Sequence, residues 1–102
     1  MKILCLGKIP QDLEDKLTSL DGLVHWLKID RAESLSAEEM RQALTGVDIL
    51  LTEPQDNLRA EVIGREAHPK LALKMIAQRA VGYDNIDMDI CRDRGILVSN
   101  TP

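Results

Sequence analysis

Short apolar runs alternate along this chain with longer amphipathic or polar stretches. Ile3, Leu4, Cys5 and Leu6 form an unbroken run closed by Gly7, which predicts a central strand buried on both faces. Pro10 suits the opening of a helix. Beyond it Leu13, Leu17 and Leu20 recur at i, i+4 and i+7 with Asp12, Glu14, Asp15 and Lys16 around them, giving one apolar stripe that Asp21 and Gly22 end with a turn. Residues 23–29 mix Val24, Trp26, Leu27 and Ile29 with His25 and Lys28, which suits an edge or near-edge strand.

After a loop over 30–35, Ser36 and Glu39 stand at capping-box spacing, so a second helix begins there. Met40, Ala43 and Leu44 form its inner face and Gly46 stops it. Residues 47–51 read as a strand interrupted only by Asp48. Glu53, Pro54, Gln55, Asp56 and Asn57 suit neither strand nor helix interior, because Pro54 lacks a donor and the polar cluster favours turns. A third helix is expected over 59–66, with Val62 and Ile63 inward and Gly64 weakening it. His68 and Pro69 break the chain before a fourth strand over 73–77, apolar except for Lys74.

Residues 79–83 then leave no room for a regular element, and Gly82 presents bare backbone. Asp84, Asn85 and Asp87 are residue types that accept from the free amides of a helix start, and a helix follows from about Met88. Ile86, Ile90 and Cys91 share one side of it, Arg92 and Arg94 fall in its last turn, and Gly95 sits where a left-handed cap belongs. Residues 96–98 form the last strand, closing on the polar Ser99, Asn100, Thr101 and Pro102.

Strand and helix therefore alternate from end to end. That order predicts an α/β, flavodoxin-like, doubly wound parallel sheet of five strands in the order 2-1-3-4-5 with helices on both faces, one domain over residues 1–102. Ligands of such sheets bind beyond the carboxyl ends of the strands. The loops singled out are residues 7–9, 52–54, 79–83 and 99–101.

Composition narrows the reading. A net charge of −4 and only two aromatic residues, Trp26 and Tyr83, argue against nucleic acid, which favours a basic face and stacking platforms. The first apolar run stops at Gly7, short of a signal h-region or a membrane span, so a soluble, cytoplasmic protein is expected. Cys5 and Cys91 show neither CxxC spacing nor a nearby His, and two reduced structural thiols are expected, with no disulfide framework or metal site.

The chemistry centres on the loop after the fourth strand. The successive amides of Val81 and Gly82 can form a concavity for a small anion such as a carboxylate; alternatively, Gly82 only permits a tight turn. Asp84, Asn85 and Asp87 are read as helix capping rather than as a metal or acid/base site. Arg79 either faces the cleft and attracts an anion or is a solvated surface charge. His25 and His68 lack a partner for acid/base work. The six glycines form neither GxGxxG nor GxxxxGK[ST].

The run AVGYDNIDMDICRDRGILVSNTP resembles the segment that ends the first half of the substrate domain in D-isomer-specific 2-hydroxyacid dehydrogenases. The pattern is VG, an aromatic or aliphatic residue, DNID, a short helix, then RGI-x-V-x-NTP. Tyr83 is similar to the glyoxylate/hydroxypyruvate reductase and 2-ketogluconate reductase branch. The likeness extends more weakly through LTGVDILLT to KILCLG.

This resemblance implies the substrate-binding part of an NAD(P)-dependent oxidoreductase acting on the CH–OH group of small D-2-hydroxy acids. The amides of Val81 and Gly82 then hold the substrate carboxylate, opposite an arginine of another domain, with Arg79 and Glu53 as further substrate-binding candidates. Glu53 and Pro54 depart from the smaller or apolar residues common there. The family's catalytic arginine, acid and histidine lie beyond the position matching Pro102, so no catalytic residue is assigned. The NAD-binding Rossmann domain is likewise expected outside residues 1–102. Such a segment, cut short at Pro102, is expected to be inert alone, to bind no NAD or NADP by itself, and to self-associate through surface left uncovered. The competing reading is a free-standing flavodoxin-like binding or dimerising module that has lost the chemistry.

Overall fold

The computed structural model of the chain describes residues 1–7, 11–21, 24–29 and 34–100. Strands β1 (Lys2–Leu6), β2 (His25–Ile29), β3 (Ile49–Thr52), β4 (Met75–Gln78) and β5 (Leu97–Asn100) form one sheet in the order β2-β1-β3-β4-β5. Every pairing is parallel. Helices α1 (Gln11–Asp21), α2 (Ala37–Ala43), α3 (Ala60–Ile63) and α4 (Met88–Arg94) fill the connections.

Alternation along the strands splits the core in two. Leu4 and Leu6 of β1, Leu50 of β3 and Ile76 of β4 point to one face, where they pack with Met40, Val62, Ile63 and Cys91 from α2, α3 and α4. Ile3, Cys5 and Leu51 point to the other face, against Trp26, Ile49 and Ala77. On that second face Glu14 of α1 reaches Lys28 of β2 at 2.6 Å. Exposure rises away from there, and Leu97 of the edge strand β5 is 69% exposed. The side chains of Leu13, Leu17 and Leu20 and the positions of Pro10, Gly22, Thr101 and Pro102 lie outside the described residues.

The expected capping box is present: Glu39 N–H donates to Ser36 Oγ while Ser36 N–H donates to Glu39 Oε1. Gly95 closes α4 with a φ of 72°. Three expectations need correction. The third helix is not residues 59–66 but only Ala60–Ile63, because Gly64 leaves it in an extended conformation and a Cβ there would stand 2.5 Å from Ala60 O. The carbonyl of Ile63 is satisfied instead by Arg94 Nη1, which also bonds His68 O. The third and fourth strands lie later than residues 47–51 and 73–77. Both end on a polar residue, Thr52 and Gln78, that apolar patterning excludes; each is buried with a side-chain partner, so burial costs it no hydrogen bond. The last strand likewise runs on to Asn100, past residues 96–98.

Candidate functional site

Three strands, β1, β3 and β4, end side by side at the mouth of the sheet. Gln78 closes β4, and residues 79–87 lead from it to α4. Within this loop two successive carbonyls are held by side-chain amides. Asn100 Nδ2 of β5 donates to Val81 O at 2.8 Å, and Gln78 Nε2 donates to Gly82 O at 3.1 Å. In a trans peptide the N–H points opposite to the C=O, so the bond to Val81 O turns the Gly82 N–H away from Asn100. Among the described residues no protein acceptor takes the N–H of Val81 or Gly82. Both residues are exposed.

Gly82 does not serve its own backbone. Gly7, Gly46 and Gly95 have positive φ, whereas Gly82 does not, and a Cβ built on it meets nothing within 4 Å. A tight turn therefore does not require glycine here. The space beside its Cα is open.

Behind the loop lies a buried polar cluster. Gln78 Nε2 donates to Asn85 Oδ1 at 2.5 Å, and Asn85 Nδ2 donates to Asp56 O at 2.9 Å and to Glu53 O at 3.3 Å. Asp56, also buried, accepts from Thr52 Oγ1 at 2.6 Å and from Glu53 N–H at 2.9 Å. The loops after β3 and β4 are thus tied together through side-chain amides. Of the expected capping trio, only Asp87 caps α4, accepting from Ile90 N–H at 3.0 Å. Asn85 is the hub of the cluster instead, and Asp84 is exposed, its carbonyl accepting from Arg59 Nη2.

Glu53 and Arg79 are brought to the same mouth, but they face each other. Arg79 Nη2 pairs with Glu53 Oε1 at 3.0 Å and also bonds Leu6 O at the end of β1. Arg79 is therefore held by protein partners at the mouth rather than solvated as a surface charge. Gly7 makes room for the pair, since a Cβ there would collide with the Glu53 carboxylate. This is the crevice where strand order reverses, the usual seat of a dinucleotide in related folds. The Glu53 carboxylate stands there, 3.0 Å from Arg79 Nη2.

Cys5 and Cys91 are buried free thiols. Burial raises both, Cys91 to about 11 with the Asp87 charge adding to the effect, while the Arg79 guanidinium partly opposes burial at Cys5. His68 Nε2 lies 3.0 Å from Arg41 O, and His25 is exposed on β2; neither touches the mouth. Among the described residues no group of three His, Cys, Asp or Glu is placed to hold a metal, and no helix is long and apolar enough to cross a membrane. Val81 and Gly82 are where the sequence placed them. Asn100 lies in the loop 99–101 singled out from the sequence, whereas Gln78 was missed; its one signal is a polar side chain at the carboxyl end of an apolar run.

The family described as D-isomer specific 2-hydroxyacid dehydrogenase, catalytic domain, matches residues 3–102. A glyoxylate reductase of Thermococcus onnurineus is 33% identical over 101 residues, 99% of this chain and 28% of that protein. The TT0316 protein of Thermus thermophilus superposes with a TM-score of 0.80 at 30% identity over 100% of this chain and 30% of its own. An acyclic imino acid reductase solved with NADPH and D-Arg superposes with a TM-score of 0.78 at 25% identity, over 100% of this chain and 31% of its own. The chain thus spans less than a third of the length of each.

Proposed function

Given that this chain belongs to the D-isomer-specific 2-hydroxyacid dehydrogenases, we propose that its 102 residues are the substrate-binding part of an NAD(P)-dependent oxidoreductase that reduces small 2-oxo acids to D-2-hydroxy acids. The carboxylate sits on the amides of Val81 and Gly82. Glyoxylate and its near homologues are the acids favoured, in keeping with the glyoxylate reductase relative. The observation that carries this reading is Gly82, a glycine without positive φ and with open space where its Cβ would stand. Successive amides without an internal acceptor favour an anion.

Hydride transfer lies outside these residues, because they include no dinucleotide fingerprint. The segment alone binds the acid and turns nothing over. The buried thiols suit the reducing cytoplasm. Two copies associate through the exposed half of the second sheet face, around Leu97.

Titration of the 15N-labelled chain with glycolate tests the assignment. The expected result is a saturable shift of the Val81 and Gly82 amides, with NADH and NADPH leaving the spectrum unchanged. Shifts confined to other residues, or none at tens of millimolar, roughly the weakest affinity worth assigning to a site, overturn it.

A further inference from the structure

The clamp on the Gly82 carbonyl bears on an amide not yet assigned a role. Gly82 O and the N–H of Tyr83 belong to one planar trans peptide, so the two point in opposite directions. Gln78 Nε2 holds that carbonyl toward the interior at 3.1 Å. The Tyr83 N–H is thereby turned away from Gln78, as the N–H of Gly82 is turned away from Asn100 by the bond to Val81 O. Tyr83 N–H finds no protein acceptor among the described residues. Three consecutive amides, at 81, 82 and 83, thus lack a protein acceptor among the described residues.

We propose that Tyr83 N–H is a third donor to the bound carboxylate and that Gln78 is the positioning residue that aims it. The proposal rests on the carboxylate site described above and extends it. Gln78 suits the task because it is itself immobilised: it is 2% exposed, and its amide is paired reciprocally with Asn85, Nε2 to Oδ1 at 2.5 Å and Asn85 Nδ2 back to Oε1 at 3.3 Å. Asn85 is in turn fixed on Asp56 O. A donor held at both ends loses little freedom when the ligand arrives, which is the condition for a preorganised anion site.

The unmodified chain decides the first half. With glycolate, the Tyr83 amide is expected to shift with the same midpoint as that of Gly82, and the side-chain amide of Gln78 with them. If Gly82 responds and Tyr83 does not, the third donor is refuted while the carboxylate site stands; if neither responds, both fall. Gln78→Met decides the second half. With the remainder of the spectrum native, it is expected to lose the Tyr83 response and weaken glycolate about five- to tenfold, the worth of roughly one hydrogen bond. Unchanged affinity with an intact Tyr83 response overturns the positioning role. Gln78→Glu provides a readout that packing alone does not move. A protonated carboxyl donates to Gly82 O and an ionised one cannot, so glycolate binding by this variant should weaken as pH rises, whereas the parent shows no such dependence; parallel pH profiles refute the role even if Gln78→Met fails to fold.

Discussion

Arg79 Nη2 stands 3.0 Å from Glu53 Oε1, so the ends of β4 and β3 meet in an ion pair. The two side chains are 26% and 33% exposed, and such a pair contributes little by charge alone. Glu53→Gln should therefore cost no more than about 1 kcal/mol in urea unfolding. Arg79→Met should cost more, roughly 1–3 kcal/mol, because Leu6 O also loses its donor. Equal losses would mean that the charge pair, not the carbonyl bond, is what Arg79 supplies.

Gly82→Ala separates folding from binding. With open space at the Cβ position and no positive φ, the alanine is expected to leave stability unchanged or to raise it by up to about 1 kcal/mol, through a less flexible unfolded chain. Glycolate affinity should nevertheless fall, since a methyl group then stands beside the amides. A destabilised variant would show that the loop needs glycine for its own sake.

Asn85 is 5% exposed and joins Gln78, Asp56 and Glu53. Asn85→Leu strands several buried polar groups and should cost roughly 2–4 kcal/mol. Asn85→Asp keeps an acceptor for Gln78 but loses the donors and buries a charge, so it should be no milder. Thermal unfolding of the two variants side by side checks the ranking.

Cys91 gives an alkaline signature. Its thiol is raised from 9.0 to about 11 in the fold, first by burial and then by the Asp87 charge. The unfolded chain therefore releases this proton first as pH rises. The associated stability is complete below pH 9 and is lost between pH 9 and 11, at about 1.4 kcal/mol per pH unit. Urea melts at several alkaline pH values should show the decline, shallower in Cys91→Ala and still present because Cys5 shifts the same way.

Leu97, 69% exposed, is the place to test association. Sedimentation at tens of micromolar, roughly where weak patches pair, should show a species larger than the monomer that Leu97→Gln reduces. A parent that stays monomeric removes the association from the reading.

Strand order and the helix signals were legible because they rest on local periodicity and on caps such as Ser36, Glu39 and Gly95. The ends of the strands were not. Thr52 and Gln78 belong to β3 and β4 only because Asp56 and Asn85, distant in pattern though near in sequence, satisfy them once buried. For the same reason Asn85 looked like a cap: an Asn three residues before a helix has capping chemistry, and only the tertiary fold turns it toward Gln78. The third helix failed at one residue, Gly64, which leaves it in an extended conformation. At the mouth, Val81 and Gly82 were recognisable from their motif, but the pairing of Arg79 with Glu53 is a contact across 26 residues that no local pattern encodes.

The strand order β2-β1-β3-β4-β5 also bears on how the chain assembles as it is made. Of these five strands the earliest, β1, lies inside the sheet, and each later one joins an edge already in place: β2 on one side, then β3, β4 and β5 in turn on the other. No strand has to be inserted between two that have already paired. Emerging from the ribosome, the chain can build its sheet outward without undoing earlier pairings, and the Val81–Gly82 loop takes its final shape only when β5 delivers Asn100 to the Val81 carbonyl.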